Sequence, residues 1–67
     1  MRRDDVLSVL RHADRPMTVS DILAELLLES TPSARSTCVS HLRRMRSLGM
    51  VRRVSAGPGP HTWEVKR

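Results

Sequence analysis

Hydroxyl and guanidinium side chains recur between residues 33 and 53, a stretch that contains no Asp and no Glu. Short hydroxyl groups approach phosphates and base edges closely, and a guanidinium group can bind phosphate oxygens or the O6 and N7 atoms of guanine. At about 100° per residue, a helix would place several of these side chains on one outward face. This basic face comprises Ser33, Ser36, Ser40, Arg43, Arg44 and Ser47, with Thr37 and His41 at one flank.

Charge is divided unevenly along the chain. Residues 1–31 hold four Arg against six Asp or Glu, a net charge of −2, whereas residues 32–67 hold seven Arg and Lys66 against Glu64, a net charge of +7. Such polarity in a small chain is typical of a protein that binds a polyanion, most commonly nucleic acid. Arg accounts for eleven of the twelve cations, which suits bidentate binding of phosphate or guanine but equally fits a GC-rich coding sequence.

Neither a metal site nor a catalytic site is indicated by the sequence. The spacings of His12, His41, His61 and Cys38 match no metal-ligand signature, and the chain has no Gly-rich phosphate loop. The Ser and Thr residues of the basic face lack a nearby carboxylate and base that would activate a nucleophile. We therefore expect no catalysis, no cofactor and no small-molecule ligand.

Cysteine usage and hydropathy favour a cytoplasmic protein. The single cysteine excludes an intramolecular disulfide framework, which fits a reducing compartment. No run approaches the roughly 18–20 apolar residues that a bilayer span needs, and no apolar signal core follows the charged N-terminus. The expected location is the cytoplasm, in association with the nucleoid and without a membrane partner.

Three helices and a hairpin are predicted to position the basic face. Apolar spacing predicts helices over about residues 3–14, 19–29 and 33–48, and the first should stop near Asp14 because Arg15 precedes a proline. Thr18 and Asp21 form a near match to a capping box, and Gly49 fits a helix C-cap. A wing hairpin is predicted over about residues 50–66, with strands at 50–55 and 62–66 around a Pro/Gly-rich loop at 56–61.

The expected core is aliphatic, because the chain has one Trp and neither Phe nor Tyr. The second helix presents an apolar stripe of Val19, Ile22, Leu23, Leu26 and Leu27, from which Leu28 points away. The third helix should turn Cys38, Leu42 and Met45 inward, flanked by Val39 and Leu48. Met17 and Thr18 could form a very short strand, and Trp63 should hold the hairpin against the helices. The prediction is a single α+β domain over residues 1–67, mostly helical.

This order of elements resembles a winged helix-turn-helix domain, a three-helix bundle with a C-terminal two-stranded wing. Residues 15–22 (RPMTVSDI) resemble the start of that family's second helix. Residues 36–53 (STCVSHLRRMRSLGMVRR) resemble its recognition helix running into the first wing strand. The resemblance covers nearly the whole chain and is closest to the DNA-binding domains of penicillinase-repressor, MarR and Fur regulators. The stretch over residues 29–34 is longer than the tight turn of the simplest helix-turn-helix proteins.

The resemblance implies that the partner is double-stranded DNA, with the third helix in the major groove and the wing on a neighbouring backbone or minor groove. Arg52, Arg53, His61 and Lys66 would then contact the DNA backbone, which adds affinity without sequence information. The implied function is a sequence-specific transcriptional regulator, such as a repressor, of bacterial, phage or plasmid type. One small module buries little surface, so a homodimer or tandem copies are expected.

Two other functions stay open at this point. A winged helix can act as a protein-protein adaptor in a larger assembly, where an acidic partner would attract the same Arg cluster. An adaptor should present large apolar anchors on the basic face, and this chain has Ser and Arg there instead. A phage architectural or recombination-accessory protein that bends DNA would use the same elements, and nothing in the sequence separates it from a regulator.

Overall fold

The computed structural model describes residues 1–54, 59 and 61–66. Its elements are α1 (Arg3–His12), α2 (Val19–Glu25), α3 (Pro32–Ser47), β1 (Val51–Val54) and β2 (Thr62–Val65). This is the predicted α+β arrangement of three helices followed by two antiparallel strands. The predicted strand end at Ser55 lies outside the described residues. Of the predicted loop at 56–61, only Gly59 and His61 are described.

α1 ends two residues earlier than predicted. Asp4 and Asp5 lie in its first turn, where negative charge is favourable, and the backbone N–H of Arg2 donates to Asp5 Oδ2 at 2.9 Å. At the other end Ala13 has an extended backbone, with φ −79° and ψ 138°. The chain therefore leaves helical geometry after His12, ahead of the pair Arg15-Pro16 that was expected to stop it.

The predicted capping box of α2 is confirmed. Thr18 Oγ1 accepts a hydrogen bond from the Asp21 N–H, and Asp21 Oδ2 accepts one from the Thr18 N–H, both at 3.1 Å. These two bonds satisfy N–H groups that have no partner inside the helix. They also fix the start of α2 at Val19, as the sequence predicted.

The predicted end of this helix at residue 29 is wrong, because α2 ends at Glu25. Leu27 adopts a left-handed backbone with φ 58°. The Leu27 N–H donates to Ala24 O at 3.1 Å and the Leu28 N–H donates to Leu23 O at 2.9 Å. This pair of bonds is the Schellman motif, which closes a helix and reverses the chain.

α3 has a cap at each end. Thr31 Oγ1 accepts from the Ala34 N–H at 3.1 Å and Pro32 takes the first helical position, so the helix begins one residue before the predicted start. At its C-terminal end the C-cap is Leu48, and Gly49, the next residue, has φ 75° and supplies the left-handed turn that closes the helix. The Gly49 N–H donates to Arg46 O at 3.0 Å, and the Met50 N–H donates to Met45 O at 2.9 Å.

β1 and β2 form the wing, and β2 is held on both sides. On one side β2 pairs with β1 in the register Val51↔Val65 to Val54↔Thr62. On the other side the Met17 N–H donates to Trp63 O at 2.9 Å and the Trp63 N–H donates to Met17 O at 2.8 Å. The predicted short strand is thus a single bridge at Met17, and the buried Trp63 holds the wing against the helices as expected.

The core is aliphatic, as predicted, and is shared by all three helices and the wing. Its buried side chains are Val6, Leu7, Leu10, Met17, Val19, Ile22, Leu23, Cys38, Leu42, Met45, Val51 and Trp63. Two predicted core positions are wrong, since Leu27 is 92% exposed and Leu48 is 57% exposed. Leu27 follows the end of α2 and Leu48 is the C-cap of α3. Because neither residue lies within a helix, the helical spacing that predicted an inward side chain does not apply to them. None of the described helices is long and apolar enough to cross a membrane.

Candidate nucleic-acid interface

The basic face of α3 lies in solvent along the whole helix. Seven of its eight side chains are exposed and His41 is half-buried. The seven are Ser33, Ser36, Thr37, Ser40, Arg43, Arg44 and Ser47. On the opposite side of the same helix Cys38, Leu42 and Met45 are buried. α3 is therefore anchored by its apolar face, and it presents the predicted binding residues on one surface that extends for about 21 Å.

The N-terminus of α3 differs electrostatically from those of the other two helices. α1 carries Asp4 and Asp5 in its first turn and α2 carries Asp21, whereas the first turn of α3 has no acidic residue. A helix N-terminus bears a partial positive charge that a nearby carboxylate offsets. At α3 this charge is not offset, so this end of the basic face favours an anion.

The hydroxyls of the basic face are not equivalent. Thr37 Oγ1 donates to the Ser33 backbone oxygen at 3.0 Å, one turn earlier in the helix. This bond uses the only hydroxyl proton of Thr37, so the side chain can still accept a hydrogen bond from a ligand but has no proton left to donate.

The sequence did not predict a role for Arg35, which connects the two helices of the helix-turn-helix through hydrogen bonds. Its Nη1 atom donates to Ser20 Oγ at 2.8 Å and to Ser30 Oγ at 2.9 Å. It therefore links α3 to the first turn of α2 and to the segment between the two helices. One sequence signal indicates this role. Arg35 lies seven residues before the core residue Leu42 and so on the same face of α3, and a cation near a buried face needs polar partners.

The predicted wing residues lie on or beside β1 and β2, whereas the basic face lies on α3. Arg52 and Glu64 are cross-strand partners and form an ion pair. Arg52 and Lys66 line a depression of about 480 Å³ together with Arg15 and other residues of the segment that follows α1. Arg53 is exposed on the opposite side of β1, and His61 is exposed just before β2. The structure thus divides the predicted contacts into an α3 group and a wing group.

Neither a metal nor a reactive thiol is indicated at this surface. Cys38 is fully buried and faces the core, and burial raises the pKa of its thiol. Among the described residues no three His, Cys, Asp or Glu side chains stand close enough to hold a metal ion. What the surface offers is a set of hydroxyl and guanidinium groups, which can hydrogen-bond and carry positive charge.

Comparison with known proteins identifies the architecture through structure alone. The sequence matches no protein-family model and no curated protein. The structure is similar to that of the Helicobacter pylori ferric uptake regulator Fur, which is described with three functional metal binding sites, at a TM-score of 0.79 and 14% identity. It is also similar to the ferric uptake regulator of Francisella tularensis, solved with iron, at a TM-score of 0.74 and 17% identity.

The similarity extends over nearly all of this chain but over less than half of either regulator. Each match covers 94% of this chain, and it covers 43% of the Helicobacter protein and 48% of the Francisella protein. At this identity the likeness concerns the path of the backbone, which here consists of three helices and a two-stranded wing. The chain therefore has the winged-helix fold that these ferric uptake regulators contain.

Proposed function

We propose that this protein binds double-stranded DNA in a sequence-specific manner as a transcriptional regulator, with α3 in the major groove and the wing on the neighbouring backbone or minor groove. The observation that carries the proposal is the exposed, acid-free face of α3, held outward by a buried apolar face on the same helix. A major groove about 12 Å wide admits one α-helix. The winged-helix fold supports the same placement.

The side chains of the basic face suit different parts of DNA. Ser33, Ser36 and Ser40 are short, so they let the helix approach phosphates or base edges closely. Arg43 and Arg44 reach further, either to phosphate oxygens or to guanine, where a bidentate contact is worth about 1–3 kcal/mol of base discrimination. Such recognition needs no bond to be made or broken, so the proposed activity is binding without catalysis.

Higher specificity would follow from a homodimer. Two copies of a helix-turn-helix protein on one duplex read half-sites whose centres lie about 34–36 Å, one helical turn, apart. Blocking of transcription at such a site would make the protein a repressor, acting in the cytoplasm where the DNA lies.

The exposed leucines favour a second candidate, a protein-protein adaptor. Leu27 and Leu48 expose 92% and 57% of their surfaces, and both lie beyond the helix ends rather than among the Ser and Arg residues of the basic face. An adaptor that used these apolar side chains as anchors would depend less on the guanidinium groups of α3 than DNA binding does.

A salt titration of DNA binding tests the proposal. We would measure fluorescence anisotropy of a labelled mixed-sequence duplex at several salt concentrations, and then select preferred sequences from a random pool. We expect log affinity to fall linearly with log salt, with a slope that corresponds to roughly four to six phosphates at ~0.9 per phosphate. Selection should yield a preferred sequence, because Arg43 and the serines can reach base edges.

Two Arg variants on the same helix make the test specific. Arg43→Ala should reduce affinity for the selected sequence and relax its base preference at one position. Arg46→Ala is the comparison variant, because Arg46 is also exposed on α3 but lies outside the basic face, about 60° round the helix from Arg43 and about 160° from Arg44. No binding of the intact protein even at low salt, or equal losses in both variants, would contradict the proposal and favour the adaptor.

A further inference from the structure

The N-terminus of α1 lies beside the basic face of α3. Arg2, Arg3 and Asp4 line a depression of about 360 Å³ together with His41 and Arg44 of α3. We call this the α1–α3 depression. It brings together residues from the two ends of the helical region, roughly forty positions apart in sequence, and it extends the positively charged surface of α3 onto a second helix.

Three of the five residues that line the α1–α3 depression are arginines, and their side chains have no partner among the described residues. The hydrogen bonds and ion pairs of the described residues include none from the side chains of Arg2, Arg3 or Arg44. Asp4 is the one carboxylate among the five lining residues, so the local charge is clearly positive. Like charges gathered at one place repel each other, and a bound anion removes that repulsion.

Helix geometry gives Arg43 and Arg44 different surroundings. Consecutive residues of a helix point about 100° apart. Arg44 and His41, one turn apart, both line the α1–α3 depression, whereas Arg43 is not among its lining residues. Arg44 therefore lies at the α1–α3 depression, whereas Arg43 lies elsewhere on the basic face.

We propose that the α1–α3 depression binds the phosphate backbone of DNA at the edge of the groove that α3 occupies, with Arg2, Arg3 and Arg44 as the phosphate contacts. This proposal rests on the DNA-binding function proposed above and adds α1 to the interface. The planar fork of each guanidinium group matches phosphate oxygens bidentately. Arg44 then contributes affinity without base preference, and Arg43 is left to contact base edges.

The double variant Arg2→Ala/Arg3→Ala tests this site. Both side chains are exposed, and Arg2 caps the start of α1 through its backbone N–H and oxygen, so the fold should be retained. We expect the salt slope of DNA binding to fall by ~1.8, which is ~0.9 for each lost phosphate contact. Affinity should fall by the same factor on selected and on random duplexes, because phosphate contacts carry no sequence information.

Three further variants keep the result interpretable. Arg2→Lys/Arg3→Lys should restore most of the slope, since the charge is kept. Arg11→Ala, an exposed arginine at the other end of α1, should leave the slope unchanged. Arg44→Ala should lower the slope by ~0.9 with the preferred sequence retained, in contrast to Arg43→Ala. Circular dichroism of each variant reports whether α1 and the fold are intact.

The outcomes separate this proposal from the function on which it rests. An unchanged salt slope in a folded Arg2→Ala/Arg3→Ala variant overturns the phosphate site while DNA binding stands. A loss confined to the selected sequence also overturns it, because it would place the two arginines on bases. Failure of the intact protein to bind any duplex overturns DNA binding itself, and the phosphate site falls with it.

Discussion

Leu27 carries the most unusual backbone conformation among the described residues. Apart from two glycines, it is the one described residue with a positive φ, and 92% of its surface is exposed. A left-handed conformation costs an L-residue about 1–2 kcal/mol, because Cβ crowds the following carbonyl oxygen. The Schellman bonds at the end of α2 therefore form against local strain, with no burial of the Leu27 side chain to offset it.

We expect Leu27→Gly to stabilise the protein by about 0.5–1 kcal/mol. Glycine adopts positive φ without strain, and its greater freedom in the unfolded chain takes back part of the gain. Urea denaturation, followed by helical circular dichroism, would show a higher midpoint with an unchanged slope.

Leu27→Ala is the control for this prediction. Alanine removes the exposed side chain but keeps Cβ, so it retains the strain and should leave stability close to that of the natural sequence. Equal stabilisation by alanine and glycine would mean that the exposed side chain, and not the backbone conformation, is what destabilises the protein.

The same residue explains why the sequence predicts an α2 that is too long. Leu26 and Leu27 continue the apolar spacing of Val19, Ile22 and Leu23, and neither Gly nor Asn marks the left-handed position. Sequence patterns detect a Schellman motif by those two residue types, so a leucine there leaves no signal. At the end of α3, by contrast, Gly49 occupies the equivalent position and the prediction came within one residue.

At the scale of elements, the capping box of α2 also makes stability depend on pH. The Thr18 N–H, which donates to the Asp21 carboxylate, is the main cause that lowers the pKa of Asp21, and the Thr18 hydroxyl and Arg15 lower it further. A carboxylate whose pKa is lower in the folded than in the unfolded state stabilises the fold above its unfolded-state pKa. That contribution is lost as pH falls through the folded-state pKa.

We expect the Asp21 contribution to be complete above about pH 5 and to decline as pH falls below about 4. Asp21→Asn should lower stability at neutral pH and lose less stability than the natural sequence on acidification. The measurement is urea denaturation at several pH values. Glu29→Gln is the control, since Glu29 is exposed beyond the end of α2. If the stability of Glu29→Gln depended on pH in the same way as that of Asp21→Asn, the assignment to Asp21 would be contradicted.

The contacts between elements were only partly predictable. Alternating residues and a Pro/Gly-rich segment indicate two strands, and an isolated Trp on one of them indicates burial, so the wing and the role of Trp63 were anticipated. The approach of Arg2 and Arg3 to Arg44 was not, because it depends on how α1 packs across α3, and periodicity within each helix does not determine that packing. The partners of Arg35 were missed for the same reason.

At the scale of the whole molecule, one core joins every element. Trp63 links the wing to Met17, which lies just before the start of α2, and Cys38 places α3 in the same core. A chain of 67 residues buries a smaller fraction of its surface than a larger domain does, so its stability is expected near the low end of the usual range of about 5–15 kcal/mol. Loss of any one large core contact would then affect the entire molecule.

Because Cys38 is completely buried, the rate at which its thiol is alkylated measures how often the fold opens. A thiol reagent can alkylate Cys38 only while the surrounding structure is transiently open, so the labelling rate follows the open population when reclosing is faster than alkylation. We expect alkylation to be at least ~10³-fold slower than in denaturant. Duplex DNA at about a hundred times its dissociation constant should slow it roughly a further hundredfold, because a ligand that binds only the folded state depletes the open one. Equal alkylation rates with and without DNA would mean that the folded, closed form does not bind the duplex. The natural cysteine thus reports both transient opening of the fold and DNA binding.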